Sequence, residues 1–168
     1  MRERPMAGLL AALAGQGARI EALGAAGALP TRICGAAGGL RGGEIRLARP
    51  PSSQFISALI LAAPLAQAPT RIILEQGTPA RPYVDMSLQL VRDFGGAAGW
   101  AEPGAVIAVE PGELRGRALA IEPDASSASY FLALAAIYGG RVTIEGLGRR
   151  ARKGTWRSRG CWRRWGRR

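Results

Sequence analysis

Apolar positions along the chain switch between helical and strand spacing. Helical periodicity covers about 5–15, 52–66, 83–94 and 125–138, while short apolar runs predict strands near 19–23, 31–34, 43–48, 71–76, 105–109, 118–122 and 141–145. The order helix, strands, helix, strand thus occurs twice. Residue identities repeat with it. Leu40-Arg41-Gly42 returns as Leu114-Arg115-Gly116 and Ser52-Ser53 as Ser126-Ser127, both at a shift of 74. Arg71-Ile72-Ile73-Leu74-Glu75 is echoed by Arg141-Val142-Thr143-Ile144-Glu145 at a shift of 70. Self-similarity of this kind predicts stacked α/β (α+β) units of about 65–75 residues that bury their apolar faces against one another.

The first helix deserves separation from a secretory leader. Met1-Arg2-Glu3-Arg4 precedes an apolar run, but Glu3 interrupts the basic stretch, and Gln16 and Arg19 break the run early. Leu9, Leu10 and Leu13 share one helical face, so an amphipathic surface helix is expected.

Charge changes the picture only at one end. The chain carries 23 basic and 12 acidic side chains and no histidine. Residues 149–168 hold nine Arg, one Lys and no acid, leaving 13 basic and 12 acidic side chains over 1–148. The body is close to neutral, and the basic character describes a tail. Without histidine there is no His-based triad and no imidazole metal ligand. Cys34 and Cys161 are too few for a four-thiolate zinc site, so no metal and no cofactor is expected. No apolar run reaches the ~18–20 residues of a membrane span, and a cytoplasmic protein with no membrane partner is expected.

The paired serines carry the first chemistry. Ser52 follows Pro50-Pro51 as an N-cap candidate, with Ser53 and Gln54 in the first helical turn. A helix start offers unpaired N–H groups and the positive dipole end, so hydroxyls there can hold a phosphate, or can simply cap. Asp124 before Ser126-Ser127 can cap the second copy, and its charge opposes an anion there.

The stretch Ser52-Ser53-Gln54-Phe55-Ile56-Ser57-Ala58-Leu59, with Ala62-Ala63-Pro64-Leu65, resembles the EPSP synthase (3-phosphoshikimate 1-carboxyvinyltransferase) family. Glu3-Arg4-Pro5-Met6, Arg81-Pro82-Tyr83-Val84-Asp85-Met86 and Asp124-Ala125-Ser126-Ser127-Ala128-Ser129-Tyr130-Phe131 agree in the same order. The resemblance implies repeated βαβαββ units, here an incomplete enolpyruvate-transferase fold. Residues 1–121 would supply the last two units of one domain, 122–148 the crossover and the start of the second, and 149–168 a basic Arg/Trp tail. It also implies transfer of the carboxyvinyl group of phosphoenolpyruvate to the 5-hydroxyl of shikimate 3-phosphate, in aromatic amino-acid biosynthesis, by an enzyme that is monomeric when complete.

By motif, Ser52 and Ser53 resemble the serines that hold the shikimate phosphate, and Gln54 the glutamine facing both substrates, phosphoenolpyruvate included. Tyr83 resembles a tyrosine beside the shikimate site, and Arg81 lies in the same loop. Ala80 stands where the family commonly has serine, so one phosphate contact would be missing. The family's catalytic acid, base and lysine motifs have no match here, so no catalytic residue is assigned and the chain reads as a fragment inactive alone. The motifs fit a transferase acting on a UDP-sugar less well. A non-catalytic phosphometabolite-binding module is the alternative.

The tail departs from the family after Gly148. Reading codons one base early from Ala151, each last base joined to the next two, Thr155–Trp156 must give Val, Leu or Met and Cys161–Trp162 must give Leu. The frame permits Pro-Gln-Gly-Asp-Val-Ala-Phe-Ala-Arg-Val-Leu-Glu-Ala-Met-Gly, which restores the family's Gln-Gly-Asp and Met-Gly. A frameshifted, disordered tail is expected, with only non-specific nucleic-acid affinity through its cations and indoles. The rivals are a nucleic-acid-binding Arg/Trp arm and a cationic membrane-surface segment.

Overall fold

The structure, a computed structural model, describes residues 4–50, 52–78, 80–121 and 123–147. Packing divides the chain into two units, Met1–Arg117 and Ala118–Arg168. The tail over 149–168, and the disorder expected of it, lie outside the described residues.

The first unit opens with helix α1 (Ala7–Gly15), followed by an antiparallel pair, β1 (Arg19–Ala22) and β2 (Thr31–Cys34). Leu10 is buried, and Leu9 and Leu13 pack against the main core, as their shared face predicts. The helix stops at Gly15-Gln16-Gly17, where Gly17 adopts φ +94°. Buried Gln16 ties this end to the next strand. Its side-chain oxygen accepts from Gly42 N–H at 2.8 Å, and its carbonyl accepts from Arg41 N–H at 3.2 Å.

There follow β3 (Gly43–Leu47), α2 (Ser53–Ala62), β4 (Thr70–Leu74), α3 (Arg81–Asp93), β5 (Ala98–Glu102) and β6 (Val106–Val109). The sheet order is β3-β4-β6-β5, with β3 and β4 parallel and the other pairs antiparallel. Gly43 to Val109 is therefore one βαβαββ unit, and α1-β1-β2 repeats its closing helix and hairpin. α1 and α3 begin 74 residues apart, the period read from the sequence.

Alternation explains which face is covered. Ile45 and Leu47 of β3, Ile72 and Leu74 of β4, and Ile107 and Val109 of β6 point to one side, where α2 and α3 lie. Ile56, Leu59 and Ile60 from α2, and Val84, Leu88 and Val91 from α3, complete that core at helical spacing. Glu44 and Arg46 face outward and pair at 3.0 Å. The helix predicted over 52–66 is interrupted. Pro64 lacks an N–H, so Ala63–Leu65 tightens into a single 3-10 turn.

In the second unit, α4 (Ala125–Tyr138) forms as predicted and stops before Gly139 and Gly140, at φ +77° and +99°. The strands predicted at 118–122 and 141–145 do not form among the described residues. A strand needs a ladder partner to satisfy its backbone, and neither stretch has one.

Candidate functional site

Parallel pairing brings two helix starts together. β3 and β4 run in register to Leu47↔Leu74, and Glu75 N–H donates to the Leu47 carbonyl at 3.2 Å, so both strands end at the same level. Each then leads into a helix lying on the same face. The starts of α2 and α3 consequently stand side by side at the carboxyl ends of parallel strands, the common location of anion sites in α/β sheets.

At the α2 start, Ser52 is extended (φ −153°, ψ 143°), and its Oγ accepts from Gln54 N–H at 3.2 Å. Ser53 is half-buried and Gln54 exposed. Neither α2 nor α3 carries an acidic residue in its first turn, so the positive dipole ends are unopposed there. At the α3 start, the N-cap Ala80 has no hydroxyl, and Thr78 Oγ1 accepts the Ala80 N–H at 3.3 Å instead. Tyr83 is 45% exposed.

One side-chain hydrogen bond joins the two helices. Ser57 Oγ of α2 and Ser87 Oγ of α3 lie 2.7 Å apart, and Ser87 Oγ is 3.1 Å from the Tyr83 carbonyl. Ser57 sits four residues after Ser53, and Ser87 four after Tyr83. Residues four apart share a helix face, about 6 Å along the axis. Ser53 and Tyr83 therefore flank one gap, a turn above the touching hydroxyls.

Arg81 is held elsewhere. Its guanidinium lies over the Trp100 ring, 5.4 Å from the centroid, with Nε 3.8 Å from Asp85 Oδ2. Trp100 Nε1 donates to Asp85 Oδ1 at 2.6 Å. The structure thus sets Ser52, Ser53 and Gln54 at the start of α2 and Tyr83 at the neighbouring start of α3, and places the Arg81 guanidinium against Trp100 of β5. A cavity of about 490 Å³ opens along the free edge of β3, between α1 residues such as Ala12 and the strand residues Glu44 to Ala48, and no residue named for the site lines it. Among the described residues, no three His, Cys, Asp or Glu side chains cluster to hold a metal.

In the second serine pair, Asp124 Oδ1 accepts from Ser126 N–H at 2.9 Å, and Ser127 Oγ lies 3.3 Å from Asp124 Oδ2. That start is capped by a carboxylate, as the sequence predicts. Ser57 and Ser87 were not singled out from sequence. The spacing of four to Ser53 and to Tyr83 is the only sequence signal for them, and their meeting depends on the packing of α2 on α3.

These features define a repeat-built α/β protein in which two helices begin side by side at the carboxyl ends of parallel strands. The sequence model of EPSP synthase (3-phosphoshikimate 1-carboxyvinyltransferase) matches residues 1–159. The chain belongs to the EPSP synthase family. It is 42% identical over 160 residues to the 3-phosphoshikimate 1-carboxyvinyltransferase of Yersinia ruckeri, covering 92% of this chain and 35% of that protein. The enzyme of the same name from Erwinia tasmaniensis is 40% identical over 155 residues, covering 92% and 36%. The solved EPSP synthase from Acinetobacter baumannii superposes with a TM-score of 0.62 at 29% identity, over 81% of this chain and 29% of that one. The chain spans about a third of the length of the curated relatives it matches.

Proposed function

We propose that the chain supplies the shikimate 3-phosphate-holding part of a carboxyvinyltransferase. In that reaction the 5-hydroxyl of shikimate 3-phosphate adds to C2 of phosphoenolpyruvate, and phosphate then leaves. Its setting is the cytoplasm, within aromatic amino-acid biosynthesis. The observation that carries this reading is the convergence of two helix starts free of acidic residues, with Ser53 and Tyr83 on opposite sides of one gap. Ser53 Oγ and the first-turn N–H groups of α2 receive the phosphate, Gln54 reaches toward both substrates, and Tyr83 packs beside the ring. Ser52 already caps Gln54 through its oxygen, so its remaining capacity toward phosphate is the donation of its proton. Arg81 reaches the ligand only by leaving Trp100 and Asp85. No stretch of this chain resembles the family's catalytic acid, base and lysine motifs, so the chain alone is expected to form no product from the two substrates.

An NMR titration of the full chain with shikimate 3-phosphate tests this. Amide shifts are expected at 52–54 and 80–83, smaller with unphosphorylated shikimate. A half-open cleft gives affinity near 1 mM, about −4 kcal/mol. Ser53→Ala is expected to reduce the shifts and Ser127→Ala to leave them. Shifts centred on 124–127 would place the ligand at the other copy of the repeat and refute the assignment.

A further inference from the structure

We propose that Ser57 and Ser87 are positioning residues that set the width of the phosphate gap, an inference that rests on the shikimate 3-phosphate reading above. Each hydroxyl carries one proton. The Tyr83 carbonyl can only accept, so Ser87 donates to it at 3.1 Å, and Ser57 donates to Ser87 at 2.7 Å. This proton order satisfies all three oxygens at once. It runs from α2, through α3, to the backbone of the residue flanking the gap.

The bridge adds a directional contact to the apolar packing of the two helices. Its neighbours on α2 and α3 are Ile56, Ile60, Val84 and Leu88, whose contacts are apolar and non-directional. A hydrogen bond between hydroxyls is directional, and here it joins buried Ser87 to half-buried Ser57, so losing Ser57 strands Ser87. Ser87 is 9% exposed, so water cannot readily replace Ser57. The pair therefore specifies one axial register of α2 against α3. One turn above, that register sets how far Ser53 and the α2 N–H groups stand from Tyr83. Neither serine touches the ligand. Their effect passes through Ser53 and Tyr83.

The test is shikimate 3-phosphate titration of the isotope-labelled full chain by NMR, with Ser57→Ala, Ser87→Ala, the double variant and Ser87→Thr. Each alanine variant is expected to weaken binding about fivefold, the loss of one hydrogen bond's worth of alignment. The double variant should be no weaker than either single, because both break the same bridge. Ser87→Thr keeps the hydroxyl and should retain binding. Without ligand, Ser87→Ala on α3 should also move the Ser53 and Gln54 amide resonances on α2. A wild-type chain that binds, with alanine variants that bind equally well, overturns the positioning role and leaves the half-site standing. A wild-type chain showing no phosphate-dependent shifts overturns the half-site reading, and this inference with it. If an alanine variant loses its dispersed spectrum, Ser87→Thr and the double variant decide the question.

Discussion

Gly42 and Gly43 adopt nearly the same left-handed backbone, φ +83° and +82°, yet they should respond to alanine very differently. A Cβ at Gly43 meets nothing within 4 Å. Its cost is the left-handed strain alone, about 1–2 kcal/mol. A Cβ at Gly42 falls on the Ala68 carbonyl oxygen, with the carbonyl carbon 2.7 Å and the Ala68 Cα 3.1 Å away. That backbone cannot retreat. Its flanks are pinned by Gly43 N–H to the Pro69 carbonyl at 2.7 Å and by Gln67 N–H to the Leu40 carbonyl at 2.8 Å. Gly42 N–H is itself committed to buried Gln16. Strain and overlap together should cost on the order of 4 kcal/mol or more, a large part of the ~5–15 kcal/mol of a small domain. Gly116, the repeat counterpart of Gly42, has no left-handed φ and open space around it, so Gly116→Ala should stay within ~0.5 kcal/mol. Urea unfolding followed by circular dichroism ranks the three. If Gly42→Ala is no worse than Gly43→Ala, the close approach to Ala68 does not govern this junction.

Ser52→Ala should lower stability by about 1 kcal/mol through loss of the α2 cap, measured by the same unfolding curves, with Ser52→Thr retaining most of it. Removing 149–168 should abolish retention on DNA or RNA columns, and binding by the full chain should fall steeply with salt. Salt-sensitive retention by 1–148 would reveal a basic face on the near-neutral body.

The helices were legible because their apolar faces repeat at helical spacing and their starts carry polar or proline signals: Ser52 before α2, Pro82 within the first turn of α3, Asp124 before α4. β5 was not. Ala98-Gly99-Trp100-Ala101-Glu102 has neither β-branched residues nor clean alternation, and it becomes a strand because the turn at Gly104, φ +81°, folds it onto β6. The strands expected at 118–122 and 141–145 show the converse, since an apolar pattern does not supply a partner. At the site, Ser52–Gln54 and Tyr83 could be named by motif. Their shared gap depends on the parallel register of β3 and β4, and the seat of Arg81 on Trp100, nineteen positions on, is a tertiary contact with no local trace.

That seat gives the protein an optical gauge of its own. Three of the four tryptophans fall within 149–168, so a chain shortened to 1–148 emits from one indole. Trp100 lies beneath the Arg81 guanidinium and shares Asp85 with it, and Arg81 and Asp85 both stand in the first turns of α3. A cation over the ring and a carboxylate on the indole N–H both tune its excited state. An anion that draws Arg81 away releases one of them. Fluorescence would then register the rearrangement of the α3 start directly, with no dye attached and no residue changed among those that hold the ligand.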